Sequence, residues 1–180
     1  MKLNALLFAL LYIPLVGCSI PHSVAEGGPF ANHRVNPQGK VLVLSIADGQ
    51  EQGQSPAPGS GQGMVAALRR VLAEHGVPLS TTATSSLPEG IAEAQRAGFE
   101  YVLKGTITLW QDNATAWSGN GDKLNISCEL YDVQSRELIA ASTHKRVATG
   151  FTFVSGSPDR FFDENAAGAL GQIYGWGQSR

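Results

Sequence analysis

Three strand-length segments follow one another over residues 99–149, and they restrict the fold more than any other feature of the sequence. Apolar side chains alternate along the first segment, residues 99–111, as expected for a strand with one buried face. Polar, turn-forming residues separate it from two further segments, residues 122–133 and residues 137–149. Short connections join antiparallel neighbours. The pattern therefore predicts a three-stranded antiparallel meander.

The chain before the meander alternates between strand and helix patterns. Residues 40–47 are a continuous run rich in valine and leucine, typical of a central strand covered on both faces. Helical spacing follows over residues 64–75, then a short strand candidate at residues 77–82. A second helix is predicted between Pro88 and Gly98, which suit its first turn and its end. This order predicts parallel strand pairs joined by crossover helices.

A last helix is predicted to begin at Ser157-Pro158-Asp159, where serine caps the helix and proline occupies its first position. Hydrophobic residues make up 43% of the chain and charged residues 16%, which is ordinary for a globular protein. We predict a single α/β (α+β) domain over residues 40–180. It would be a sandwich with a mixed sheet, the antiparallel meander at its C-terminal part and about three helices.

The first residues have the pattern of an export signal. Residues 1–17 begin with a weakly positive start and continue as an apolar stretch that is too short to span a bilayer comfortably. The stretch runs into a motif that resembles the lipobox of bacterial lipoproteins, Leu15-Val16-Gly17-Cys18. We expect cleavage before Cys18 and acylation of its sulfur by palmitate-type chains. A general secretory signal with a chance cysteine is the alternative.

Acylation predicts where the protein resides. Several acyl chains anchor a protein stably, whereas one chain is marginal. Ser19 stands where enteric inner-membrane retention signals carry aspartate, so the resemblance to those sorting rules favours the outer membrane, facing the periplasm. Residues 18–39 contain several prolines and glycines without a sustained period, and they are interpreted as the lipidated cysteine and a flexible tether.

Charge and cysteine content limit the partners. The formal net charge is −2, and a nucleic-acid partner would require a basic face that the sequence lacks. Acylation of Cys18 would leave Cys128 without a disulfide partner. Cys128 shares a strand face with Leu124, Ile126 and Leu130. It is therefore predicted to be a small core residue, with a reactive or intermolecular thiol as the alternative.

No catalytic motif is found. The glycine-rich segment Gly59–Gly63 lacks the Gly-Lys-Ser/Thr of a P-loop, so residues 48–62 are interpreted as a flexible loop, with ligand contact at the sheet edge as the alternative. The serines lack the nucleophile elbow. Acidic pairs such as Glu89 with Glu93 are expected to be solvated helix charges.

Metal and cofactor sites are likewise not predicted. The four histidines have no metal-ligand spacing and are expected on the surface or in linkers: His22, His33, His75 and His144. We therefore predict no catalytic residues, no metal and no cofactor, and a protein that is not an enzyme. An enzyme with an unrecognised carboxylate site is a further alternative.

Two tryptophans flank a polar hairpin, and they are the most distinctive local pattern: Trp110, Asp112, Trp117 and Asp122. Such tryptophans either close the end of a core or bind a sugar or a protein. These four residues, with the loop Gly49–Gly63, are the candidate contact surface. The prediction is an envelope lipoprotein that binds or assembles with another envelope component. A small-ligand or glycan-binding lipoprotein is the alternative.

The hairpin and the segments around it resemble an uncharacterised family of small Gram-negative lipoproteins, the domain of unknown function numbered forty-eight twenty-three. The resemblance covers roughly residues 40–174 and rests on several features in order: Trp110 to Asp112, Trp117-Ser118-Gly119, Tyr131-Asp132-Val133 and the helix at Pro158. It implies an envelope lipoprotein domain and no particular activity.

Overall fold

A mixed sheet covered by helices forms the centre of the protein. The computed structural model describes residues 23–113, 121–148 and 156–176. In that part of the chain, six strands form the sheet: β1 Ser23–Pro29, β2 Val41–Val43, β3 Leu79–Thr81, β4 Tyr101–Gln111, β5 Lys123–Asp132 and β6 Leu138–Val147. The helices are α1 Ser60–Glu74, α2 Leu87–Ala97 and α3 Phe162–Tyr174, the last preceded by a 3-10 turn, Pro158–Phe161. The predicted α/β fold with a mixed sheet is confirmed.

The strand order is β1-β6-β5-β4-β2-β3. β2 pairs in parallel with both β3 and β4, and α1 and α2 provide the crossovers along the chain. β4, β5 and β6 pair antiparallel, which is the predicted meander. A register shift between Ile107 and Leu109 marks a bulge in β4, and such bulges bend a strand.

The two faces of the sheet are covered differently. α1 and α3 cover one face, and the large core there includes Leu68, Ile126 and Leu170. α2 covers the other face over β2 and β4, with a smaller core around Leu42 and Val102 that Tyr131 of β5 borders. No helix among the described residues is long and apolar enough to cross a membrane.

β5 shows how the alternation divides these faces. Its buried side chains point to α1 and α3, whereas the side chains between them remain half-buried and polar, such as Asn125, Ser127 and Glu129. Cys128 is on the buried side and fully inaccessible, so the predicted core role is confirmed. Burial, assisted by the charge of Glu129, raises the pKa of the Cys128 thiol to about 12.

The structure corrects the predicted tether. Residues 23–29 are not a flexible linker but an edge strand, β1, which pairs antiparallel with β6 from Ser23–Arg146 to Pro29–Ala140. The glycines that suggested a linker permit this pairing. A Cβ on Gly27 would lie 2.2 Å from the Ala141 carbonyl oxygen, and its φ of +112° is one that other residues rarely adopt. The ordered domain therefore begins well before residue 40.

Candidate functional site

Trp110 lies near the end of β4 and closes the core there. The side chain is only 6% exposed. Its ring lies 6.0 Å from the ring of Phe162, centroid to centroid, at 44°. Gly49 comes so close that a Cβ there would be 3.0 Å from the Trp110 Cβ. Of the two interpretations of this tryptophan, its burial fits core packing.

The Asp122 carboxylate is buried and bound by neighbouring residues of the protein. It is 4% exposed, accepts a hydrogen bond from the Asn113 amide at 3.0 Å and receives the Arg160 guanidinium at 2.5 Å. These bonds join the base of the hairpin to the 3-10 turn before α3. Because a buried carboxylate needs such partners, Asp122 is held in place rather than offered to a ligand.

Asp112 is exposed beside these residues, at the rim of a depression of about 450 Å³ that we call the acidic cleft. Trp110, Phe162, Asp159 and Glu51 also line the cleft. Partial burial raises the pKa of Asp112, and repulsion by the carboxylates of Asp122, Glu51 and Asp159 adds to this. The structure thus brings two hairpin candidates, Trp110 and Asp112, next to the 49–63 loop.

Several candidate residues lie outside the described part of the chain. Trp117 is one, and the acylation motif is another, with Leu15, Val16, Gly17 and Cys18. Within the described residues, no three His, Cys, Asp or Glu side chains are placed to hold a metal ion together.

The glycine-rich loop is anchored to α1, contrary to the prediction of a flexible segment. Asp48 accepts hydrogen bonds from the amides of Gly61 at 2.8 Å and Gly59 at 3.1 Å, and these bonds lower its pKa. Residues 60–62 already belong to α1. A phosphate bound at this helix start would need the same amides. Asp48 occupies them, so the arrangement caps the helix instead of cradling an anion.

A second depression lies at the carboxyl ends of β2 and β3, with a volume of about 660 Å³. Ser45, Gln62, Arg69 and Thr82 are among the residues that line it. Sequence reasoning missed it because these residues come from separate elements and form no local motif. The signal that could have found it is the parallel strand order, since crevices in α/β sheets form at the carboxyl ends of such strands.

His144 corrects another prediction, because it is not a surface residue. It is 3% exposed, with Nε2 3.0 Å from the Ser23 Oγ and Nδ1 against the Asn165 Oδ1. The amide of Asn165 donates to the Leu124 carbonyl oxygen at 3.0 Å. Since that orients Oδ1 as the acceptor, His144 Nδ1 carries the proton. The network joins α3 to β5, β6 and β1. His22 lies outside the described residues.

In the described residues, these features define a small α/β domain with a six-stranded mixed sheet. No family model matches the chain, and no curated protein does. The resemblance to an uncharacterised lipoprotein family therefore stays a prediction.

Solved structures do match. The chain is similar to the PelC dodecamer from Paraburkholderia phytofirmans, with 18% identity and a TM-score of 0.61 over 84% of this chain and 98% of that chain. Lipoprotein GNA1162 from Neisseria meningitidis matches with 15% identity and a TM-score of 0.47, over 62% of this chain and 85% of that one. Protein XCC0632 from Xanthomonas campestris matches with 10% identity and a TM-score of 0.49, over 83% of this chain and 95% of that chain. The likeness to PelC shows that the fold is shared.

Proposed function

We propose that this chain is a lipid-anchored envelope lipoprotein of the outer membrane, facing the periplasm, and that its α/β domain is a non-enzymatic module that assembles with copies of itself. The observation that carries the proposal is the fold shared with PelC, a protein whose structure is a dodecamer, across 84% of this chain. The lipobox-like motif that ends at Cys18 supports the anchor.

One surface of the domain suits an assembly. We call it the open sheet face: Asn125, Ser127 and Glu129 of β5, with Thr143 of β6. Ser127 lies opposite Thr143 in the register. The helix on that side, α2, packs over β2 and β4, and the side chains of the open sheet face remain half-buried or exposed. Polar surfaces of this kind are common in protein–protein contacts, which are on average as polar as the rest of a protein surface.

The residues of the acidic cleft give the glycan-binding alternative less support than the open sheet face gives self-assembly. Sugar recognition by tryptophan needs an exposed ring face, and Trp110 is 6% exposed. Asp122 is already engaged by Arg160. What the cleft offers is the rim carboxylates of Asp112 and Asp159. The alternative therefore depends on Trp117.

The anchor is tested by metabolic labelling with a palmitate analogue and by fractionation, comparing the natural chain with Cys18→Ala. We expect label and outer-membrane location that both depend on Cys18. An unlabelled protein in the soluble fraction would contradict both the lipid anchor and the outer-membrane location.

The assembly is tested on the non-acylated Cys18→Ala protein by size exclusion with light scattering. We expect a mass of several copies. Adding Ser127→Arg, which places a large cation in the open sheet face, should reduce it to a single copy. Ser135→Arg, in the exposed turn after β5, is the matched control and should leave the mass unchanged. A single-copy mass for the parent protein would refute self-assembly, and thermal melting checks that each variant is folded.

A further inference from the structure

We propose that one corner of the sheet rests on the bilayer that holds the lipid anchor. This anchor corner consists of Ser23 and Val24 at the start of β1, Lys145 and Arg146 near the end of β6, and Lys123 at the start of β5. Its partner is the layer of anionic phospholipid headgroups. The inference rests on the proposed acylation of Cys18.

The chain between Cys18 and the first strand of the sheet is short. Ser23 is the fifth residue after Cys18, and it is already paired with Arg146 in the sheet. Five residues span at most roughly 17 Å when fully extended. A tether running to residue 39 would instead have reached on the order of 70 Å. The start of β1 therefore stays close to the membrane surface.

The strand directions decide which end of the domain this is. β4 ends at Gln111, opposite Lys123, and Lys123 lies opposite Val147. These residues share the end of the sheet at which β1 begins. The turn around Ser135 lies at the other end. From Leu138, where β6 begins after that turn, to Lys145 the strand distance is roughly 23 Å, at about 3.3 Å per residue. The two ends can therefore be distinguished by a probe of membrane proximity.

At that end of the sheet, the basic side chains lie at the anchor corner. Lys145 is exposed and Lys123 half-buried, and Val24, the cross-strand partner of Lys145, is 42% exposed. Arg146 pairs with Glu164 at 2.7 Å. The anchor corner is thus basic with an exposed apolar side chain, which anionic headgroups attract.

The opposite side of the same end carries the acidic cleft. Its carboxylates include those of Asp112, Asp159 and Glu51, and anionic headgroups repel them. The domain is therefore inclined so that the anchor corner touches the headgroups while the acidic cleft stays open to the periplasm.

The experiment uses the acylated full-length protein in vesicles of phosphatidylglycerol and phosphatidylcholine that contain a headgroup-attached quencher. A fluorophore is attached to Val24→Cys, or to the matched control Ser135→Cys. Cys128 does not compete for the label, because it is fully buried with a raised pKa. We expect several-fold stronger quenching at position 24 than at position 135. Equal quenching at the two positions would overturn the inference.

Two variants test the causes separately. Inserting twelve Gly/Ser residues after Pro21 lengthens the connection by roughly 19 Å on average and should abolish the difference in quenching. Lys123→Glu with Lys145→Glu should weaken quenching at position 24, whereas Lys40→Glu, an exposed residue outside the anchor corner, should not. If neither the insertion nor the double lysine substitution changes the quenching, the result contradicts membrane contact by the anchor corner.

Failure of the inference is distinguishable from failure of the proposed function. Acylation is read independently, as palmitate-analogue label on the same protein. Protein that is labelled but shows equal quenching refutes the orientation alone. Protein that carries no label refutes the anchor, and with it the orientation.

Discussion

Replacing Asn165 by alanine should destabilise the domain more than the loss of a polar side chain usually does. Asn165 is fully inaccessible in α3. Its oxygen accepts from the His144 ring, and its amide donates to the Leu124 carbonyl oxygen at 3.0 Å. The substitution would leave the buried His144 ring donor without its partner and would remove the hydrogen bond to the Leu124 carbonyl oxygen.

The magnitude follows from those two groups. A buried polar group left without a partner costs about 1–3 kcal/mol and a lost hydrogen bond about 0.5–1.5 kcal/mol, so we expect Asn165→Ala to lower the free energy of unfolding by about 2–4 kcal/mol. Domains of this size are stable by only about 5–15 kcal/mol. The loss would therefore be a large part of the total.

Urea unfolding of the non-acylated protein measures this free energy. We expect a lower midpoint with an unchanged slope, since the surface exposed on unfolding is the same. Gln95→Ala, an exposed position in α2, is the control and should change stability by less than about 0.5 kcal/mol. A loss below about 1 kcal/mol for Asn165→Ala would refute the reasoning, because it would show that water replaces the missing partners.

Three further predictions concern Trp110, Gly168 and Cys128. Trp110→Ala should cost about 3–5 kcal/mol by thermal or urea unfolding; a fully stable variant would contradict a core role. Gly168→Ala should cost about 1–3 kcal/mol in the same assay, since its Cβ would lie 2.0 Å from the His144 Cδ2; an unchanged midpoint would argue against that contact. Cys128 should resist a thiol reagent in the native protein. The free energy of unfolding should fall as pH rises from 9, the ordinary pKa of a thiol, towards about 12, the pKa of Cys128 in the folded protein. The folded thiol keeps its proton longer than the unfolded one, so the slope approaches about 1.4 kcal/mol per pH unit; Cys128→Ala should remove that slope between pH 9 and 10.

The meander could be predicted because its information is local. Alternation along residues 122–133 marks Cys128 as inward-facing, and the structure confirms it. The last helix was also predicted near its observed start, where Ser157-Pro158 leads through a 3-10 turn into α3, but the Ser157 side chain makes no capping hydrogen bond. A strand or helix that has one buried face repeats its pattern over many residues, and the pattern survives any detail of packing.

β1 could not be predicted by the same means. Its sequence from Ser23 to Pro29 contains two adjacent glycines and a proline, which locally favour a linker. It becomes a strand because β6 offers an unpaired edge and α3 packs beside it. A sheet edge stabilises an added strand through backbone hydrogen bonds, which no side-chain pattern announces.

Residues distant along the chain decided the environment of the candidate site. Asp122 meets Arg160 across 38 positions, and His144 meets Ser23 across 121. From the sequence each was a polar residue with an unknown partner, and His144 was wrongly placed on the surface.

The sequence by itself determined the order of the elements β2 to α3 and which side chains of β5 point inward, because periodicity and turn residues act over short distances. Only the tertiary structure decided that β1 joins the sheet and that Trp110 is covered by Phe162. Those outcomes depend on contacts between segments far apart in the chain, and contacts of that kind form only when the whole sheet is assembled.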